Sequence, residues 1–265
     1  MKSTTLKYII VSTVALCAAG ALSRATVMFH NYGTTALGGS SGWDSYNLDS
    51  PGIISQSTSQ VYKGSTSIKS EVDYQGTGYT GRYHAMCSLD NVYHPGDLGF
   101  YGFAFYLRSA WEFDNQQYQL FQFIADFSDT GCDDWMPSSM VWIYGNTLNT
   151  RRKYGTPCDQ KITEYDNVAT VSAGVWHTIE IQALWEPNDT GYYKLWFDGT
   201  KVVEQYNCKT TVSDSENRYF RMDVGLYANS WHDDGHMTGS QSQRYAYFDE
   251  IGWGTVFADA NPAAW

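Results

Sequence analysis

Apolar positions along the chain gather in short runs whose side chains alternate with polar ones, and no stretch of useful length repeats them at the helical interval of three to four residues. The runs lie at 67–74, 99–108, 118–127, 140–144, 176–185, 192–197, 218–227 and 245–253. Each is rich in β-branched or aromatic residues and bounded by Gly, Asp, Asn, Ser or Pro, which is how strands read. Asp198-Gly199 falls between two of them, where a two-residue hairpin turn needs left-handed residues, and Asn188-Asp189-Thr190-Gly191 marks another turn. Eight or more short strands without helices predict an all-β fold, a two-sheet antiparallel sandwich of the β-jelly-roll type. Such a fold offers one concave sheet face as a cleft for an extended ligand.

The ends and the charge bound the picture further. Lys2 and Lys7, the apolar run from Tyr8 to Ala19, and the small residues Ser23 and Ala25 form a secretory signal over 1–25. A single domain over 26–265 is expected to follow it, secreted and monomeric. The apolar run is too short to span a bilayer, so no membrane anchor is expected. The formal net charge of −11 falls to −14 once Lys2, Lys7 and Arg24 leave with the signal. That balance excludes nucleic acid as a partner, because binding by counterion release needs clustered Lys and Arg. Of the 10 Trp, 21 Tyr and 12 Phe about half are expected to fill the core between the sheets, and Trp and Tyr on a concave face suit stacking on sugar rings.

Without Cys17, four cysteines remain in an oxidising compartment, so two disulfides are expected. Three pairings are open. Cys132 and Cys158 flank a hairpin formed by 140–144 and 150–154 and are expected to tie its ends; Cys87 with Cys208 then follows by elimination. The cysteines lack C-x-x-C spacing, which argues against a zinc site.

Within strands, residues two apart share a face. Arg82 and His84 therefore point one way and Tyr83 the other. Gln122, Ile124 and Asp126 oppose Phe121, Phe123, Ala125 and Phe127, while Arg221, Asp223, Gly225 and Tyr227 oppose Phe220, Met222, Val224 and Leu226. Polar groups in otherwise apolar strands belong at a cleft, since burying one unpaired costs about 1–3 kcal/mol.

The segment from Tyr219 to Asn229, followed by Ser230-Trp231-His232-Asp233-Asp234-Gly235, resembles the fungal glucuronan lyases of polysaccharide lyase family 20. So do Gln122-Phe123-Ile124-Ala125-Asp126-Phe127, Thr130-Gly131-Cys132-Asp133-Asp134-Trp135-Met136-Pro137 and Thr238-Gly239-Ser240-Gln241, and the similarity runs over essentially the whole chain after the signal. A weaker kinship is to the family 7 alginate lyases, with their Gln-x-His and Tyr-Phe-Lys-x-Gly-x-Tyr elements. This chain keeps Tyr227, has Arg221 in place of the Lys, and has Ile124 where the His would stand, which leaves His84 to supply an imidazole.

The resemblance implies β-elimination on an anionic polyuronate. Such a reaction needs donors to neutralise the carboxylate beside C5, a base for the C5 proton and an acid for the departing O4. Gln122 and Arg82 suit the first task, and His84 and Tyr227 the others. Two arrangements are open, His84 as base with Tyr227 as acid, or Tyr227 transferring both protons with His84 as a second neutraliser, and the second is favoured. Arg151, Lys153 and Arg221 are expected to hold substrate carboxylates in flanking subsites, concentrating the few cations locally. Asn229, Trp231 and His232 are expected to edge the cleft. The spacing of the Trp231–His236 stretch fits neither a calcium loop nor a zinc helix. The resemblance also implies a structural Ca²⁺ away from the cleft, with Asp249, Glu71 and Asn31 as candidate ligands.

Two rival classes remain on the same fold. A retaining glycoside hydrolase needs two carboxylates about 5–5.5 Å apart, and the Glu-x-Asp-x-x-Glu run that supplies them on one strand is missing. A non-catalytic carbohydrate-binding module would use the same face without chemistry.

Overall fold

The computed structural model describes residues 26–132, 134–216 and 218–264. The expected signal over 1–25 lies outside them. The chain is built of β1 (Val27–Asn31), β2 (Ser45–Leu48), β3 (Gly52–Ser57), β4 (Ser67–Asp73), β5 (His84–Tyr93), β6 (Leu98–Leu107), β7 (Gln117–Asp126), β8 (Trp135–Tyr144), β9 (Thr147–Thr156), β10 (Asp159–Thr170), β11 (Trp176–Leu184), β12 (Tyr192–Phe197), β13 (Thr200–Tyr206), β14 (Phe220–Tyr227) and β15 (Gln243–Gly254), with one five-residue helix, α1 (Asn229–Asp233). The strands form two antiparallel sheets, as the alternation predicts. One runs β13-β12-β11-β6-β15-β4-β3, with β1 added to β15; the other runs β10-β9-β8-β7-β14-β5-β2. The arrangement is a β-jelly roll.

All eight sequence-predicted runs are strands. Among the strands that the pattern does not announce, β10, with its Asp, Lys, Glu and Asn, and β13 are edge strands, where one row of backbone groups faces water and side chains need not be buried. At the β12–β13 turn Asp198 and Gly199 have φ of 48° and 73°, the left-handed pair that matches hairpin twist.

Aromatic side chains fill the space between the sheets. Phe103 of β6 stacks on Phe121 of β7 at 5.4 Å, and Tyr93 of β5 lies between Trp185 at 4.1 Å and Phe220 at 4.6 Å. Offset ring pairs of this kind add to the burial term and fix how the sheets face each other. Trp231 belongs to this packing. It is buried, edge-on to Tyr83 at 5.3 Å and Tyr74 at 5.5 Å, so the expectation that it edges the cleft is corrected: an indole so enclosed serves as an anchor for α1.

Cys132 and Cys158 form the expected disulfide across β8 and β9. The expected Cys87–Cys208 pair is not made. Cys87 is buried in the middle of β5, whereas Cys208 follows β13, at the far edge of the other sheet, where its N–H donates to the Gly191 carbonyl. Elimination failed because an even cysteine count does not place the thiols together. No helix among the described residues is long and apolar enough to cross a membrane.

Candidate active site

The concave face of the seven-stranded sheet carries a cleft of about 840 Å³, within the range of ligand sites. Its centre is set by pairing across three strands. Tyr227 of β14 is opposite His84 of β5 on one side and Gln119 of β7 on the other, and Asp223 is opposite Gln122 of β7. The His84 and Tyr227 rings lie against each other, 3.8 Å between centroids and tilted by 32°. Arg82, exposed at the cleft rim, donates from Nη1 to Tyr227 Oη at 2.8 Å. Tyr83 points into the core, as the alternation requires.

The amide of Gln122 is locked. Its Nε2 donates to Asp223 Oδ2 at 2.8 Å, and its Oε1 accepts from Gln119 Nε2 at 2.6 Å. One N–H of Gln122 thus remains for a ligand. Asp223 is fully buried and held by Ser88 Oγ at 2.7 Å, Asn47 Nδ2 at 3.2 Å and Arg221 Nε at 3.1 Å.

Simple alternation from Gln122 assigns Gln119 to the core, and the structure shows why it fails. A bulge between Gln119 and Phe121 leaves Leu120 and Phe121 both buried and switches the phase, so Gln117 and Gln119 line the cleft together with Gln122 and Ile124. β14 shifts register in the same region, between Val224 and Tyr227. Gly225 has φ of 150° there, and a Cβ at that position would stand 2.3 Å from the Ala85 carbonyl oxygen.

Asp49, between β2 and β3, was not singled out by sequence. Its Oδ2 accepts from the His84 backbone N–H at 2.9 Å and meets His84 Nδ1 at 2.7 Å. Burial would raise the Asp49 carboxyl, but the bonds from His84 outweigh it and hold the group below the usual carboxylate range. An ionised carboxylate only accepts, so Nδ1 carries the proton and the neutral imidazole offers Nε2 as an acceptor. Tyr227 moves the other way: burial, only partly offset by Arg82, pushes its hydroxyl up to about 12. A phenol so placed stays protonated at neutral pH and is an acid rather than a base.

Of the residues expected in flanking subsites or at the cleft edge, Arg151, Arg221 and Asn229 line the cleft. Arg221 is spent on Asp223 and lies over the Trp135 ring at 4.5 Å. Lys153, buried on β9, and His232, whose Nδ1 meets the Gly81 carbonyl at 3.0 Å, are outside the lining. The expected local excess of cations is absent: Arg82, Arg151 and Arg221 share the cleft with Asp49, Asp134, Asp223 and Asp233. Most of these acids orient donors. Trp135, 47% exposed, adds an aromatic platform that the sequence reading had passed over.

The candidate calcium ligands do not converge. Glu71 accepts from Lys69 and from Gln243 Nε2, the latter at 2.9 Å, and the Asn31 amide is used on Thr34 and on the Ser41 carbonyl. Among the described residues no three His, Cys, Asp or Glu side chains group as a metal site. Asp249 alone fits a hard cation. It is buried, burial pushes its carboxyl up to about 6 against bonds from the Lys63, Tyr62 and Glu250 N–H groups, and its Oδ1 and the Thr66 carbonyl oxygen border the slot that a Cβ on Gly33 would fill.

An imidazole acceptor, a protonated phenol and a locked amide converging on the concave sheet of a jelly roll define an enzyme for acid–base work on an extended carbohydrate. Residues 35–252 match the family model described as Polysaccharide lyase, and the chain belongs to that family. Among solved structures it is similar to the endo-beta-1,4-glucuronan lyase from the fungus Trichoderma reesei, at 45% identity and TM-score 0.84 over 89% of this chain and 99% of that one. A cellulose-induced protein shares the fold at 16% identity and TM-score 0.50, over 81% of this chain and 94% of that one. No curated protein sequence matches.

Proposed function

We propose that this chain is a secreted, monomeric enzyme that cleaves β-1,4-linked polyglucuronate by β-elimination. The observation that carries the reading is the adjacent pair of His84 and Tyr227 beside the Gln122 amide. In a gluco-configured uronate the C5 hydrogen and the O4 leaving group lie on the same face of the ring, so a base and an acid on one side of the cleft suit that substrate. The similarity to the Trichoderma reesei enzyme supports the same substrate.

The steps follow from the donors and acceptors. The free N–H of Gln122 binds the carboxylate attached to C5 and stabilises the charge that develops there, as an oxyanion-hole donor does. His84 Nε2 takes the C5 proton; the C5–H electron pair becomes the C4–C5 double bond as the C4–O4 bond breaks, and Tyr227 gives its proton to O4. Arg82 then holds the tyrosinate. The products are a new reducing end and a 4,5-unsaturated uronate at the new non-reducing end. This gives the base role to His84, which the sequence reading had favoured for carboxylate neutralisation. Asp49 is the reason, because it consumes the Nδ1 proton that such a neutraliser would donate. A structural calcium held by Asp249 and neighbouring carbonyl oxygens would brace the outer sheet and supply no chemistry to the cleft.

The test is to incubate the purified protein with glucuronan, alginate and polygalacturonate while following the ultraviolet absorbance of the unsaturated uronate. Glucuronan is expected to give the fastest rise. Reducing ends without absorbance would mean hydrolysis, and neither would mean binding alone.

A further inference from the structure

Arg151 differs from the other cleft arginines in having its charge uncommitted within the cleft. Arg82 is bonded to Tyr227 and Arg221 to Asp223. Arg151 lies on β9 opposite Met140 of β8, and Met140 is opposite Gln122 of β7, so the three side chains stand in one row across the concave sheet. The Nε of Arg151 is buried and meets no hydrogen-bond partner among the described residues. Burial lowers its pKa, partly offset by Glu164, its cross-strand neighbour on β10. A guanidinium placed in this way lacks the planar acceptor its fork is built to bind. Adjacent strands are about 4.8 Å apart, so Arg151 is roughly 10 Å from Gln122, two strands away in the same row, about the span of two sugar residues.

We propose that Arg151 anchors the carboxylate of a substrate uronate roughly two sugars from the bond that breaks, with Met140 as the apolar floor beneath the intervening ring. This rests on the polyuronate reading and deepens it, making the enzyme selective for chains long enough to place a second carboxylate on Arg151. A neutral sugar at that position gains nothing from the guanidinium.

The experiment compares Arg151→Gln and Arg151→Lys with the unmodified chain on glucuronides of increasing length. For chains that reach the subsite, Arg151→Gln is expected to raise KM roughly ten- to a hundredfold, the scale of one charge-assisted hydrogen bond, with kcat within about twofold. For the shortest cleavable chains the two enzymes should coincide, and Arg151→Lys should recover part of the loss. Calorimetric titration of long and short glucuronides into Tyr227→Phe, with and without Arg151→Gln, reads the same difference without turnover. Equal affinity for long chains in that titration overturns the subsite. So does an equal loss at every length with unchanged melting. Unmodified enzyme that binds long glucuronides through Arg151 yet releases no unsaturated product would leave the subsite standing and overturn the elimination reading.

Discussion

In the proposed elimination Tyr227 is the acid, because burial keeps its proton on, and His84 is the base, because Asp49 occupies its Nδ1 proton. The Tyr227 hydroxyl sits against the core with Arg82 as its partner, so it holds a proton until the tyrosinate can be stabilised. Replacing Tyr227 with Phe keeps the ring against His84 and removes the proton; kcat should fall about 10²- to 10⁴-fold with oligosaccharide affinity nearly unchanged. Retention of a third of the activity would exclude Tyr227 as the acid. Asp49 acts through His84. Asp49→Asn leaves an oxygen for the Nδ1 proton but removes the negative charge beside the ring that takes the C5 proton, so kcat should drop while oligosaccharide affinity and melting temperature stay close to those of the unmodified chain. An unchanged kcat would mean that Asp49 does not position the base.

At the scale of the element, strand irregularities make the site. β7 would present its glutamines on opposite faces without the bulge at Gln119–Phe121, and β14 tolerates its own register shift because Gly225 has no Cβ to meet the Ala85 carbonyl. On the opposite sheet, β11 buries Glu180, 2% exposed, with Oε2 unpartnered, and burial pushes its carboxyl up to about 7, with Asp198 nearby adding to the rise. The folded pKa therefore lies above that of the unfolded chain, so the native state holds the extra proton between about pH 4.5 and 7, and this group's contribution to stability declines as pH rises through that window. Glu180→Gln is expected to flatten the decline and to raise the melting temperature at pH 8 relative to the unmodified chain. A variant whose melting temperature tracks the original at every pH would show that Glu180 is not buried as a proton-holding acid.

Over the whole molecule, the cleft and the candidate calcium ligand lie on different sheets. The cleft belongs to the seven-stranded sheet, whereas Asp249 lies on β15 of the other. If calcium binds there, it binds only the folded chain and stabilises it by mass action. Adding a chelator should then lower the melting temperature while leaving KM for glucuronan at ambient temperature unchanged. Instant inactivation of a still-folded enzyme would place a metal in the cleft instead.

The sequence by itself determined the all-β class and the two-faced strands, because alternation at a period of two is a local property that any half-buried strand must show; alternation put Tyr227, His84, Gln122 and Arg82 on polar strand faces, and only the family resemblance gave them roles. It also placed the Cys132–Cys158 bridge, whose ends flank one hairpin. Only the tertiary structure decided the rest. Asp49 reaches His84 from 35 positions away and Gln119 joins Gln122 through a bulge, so neither appears in a local pattern. Trp231 reads like a cleft aromatic until three neighbouring rings enclose it. Cys87 and Cys208 pair by count but belong to different sheets. Which polar groups are spent on one another and which are left for a ligand depends on contacts between distant strands, and composition and spacing do not encode those contacts residue by residue.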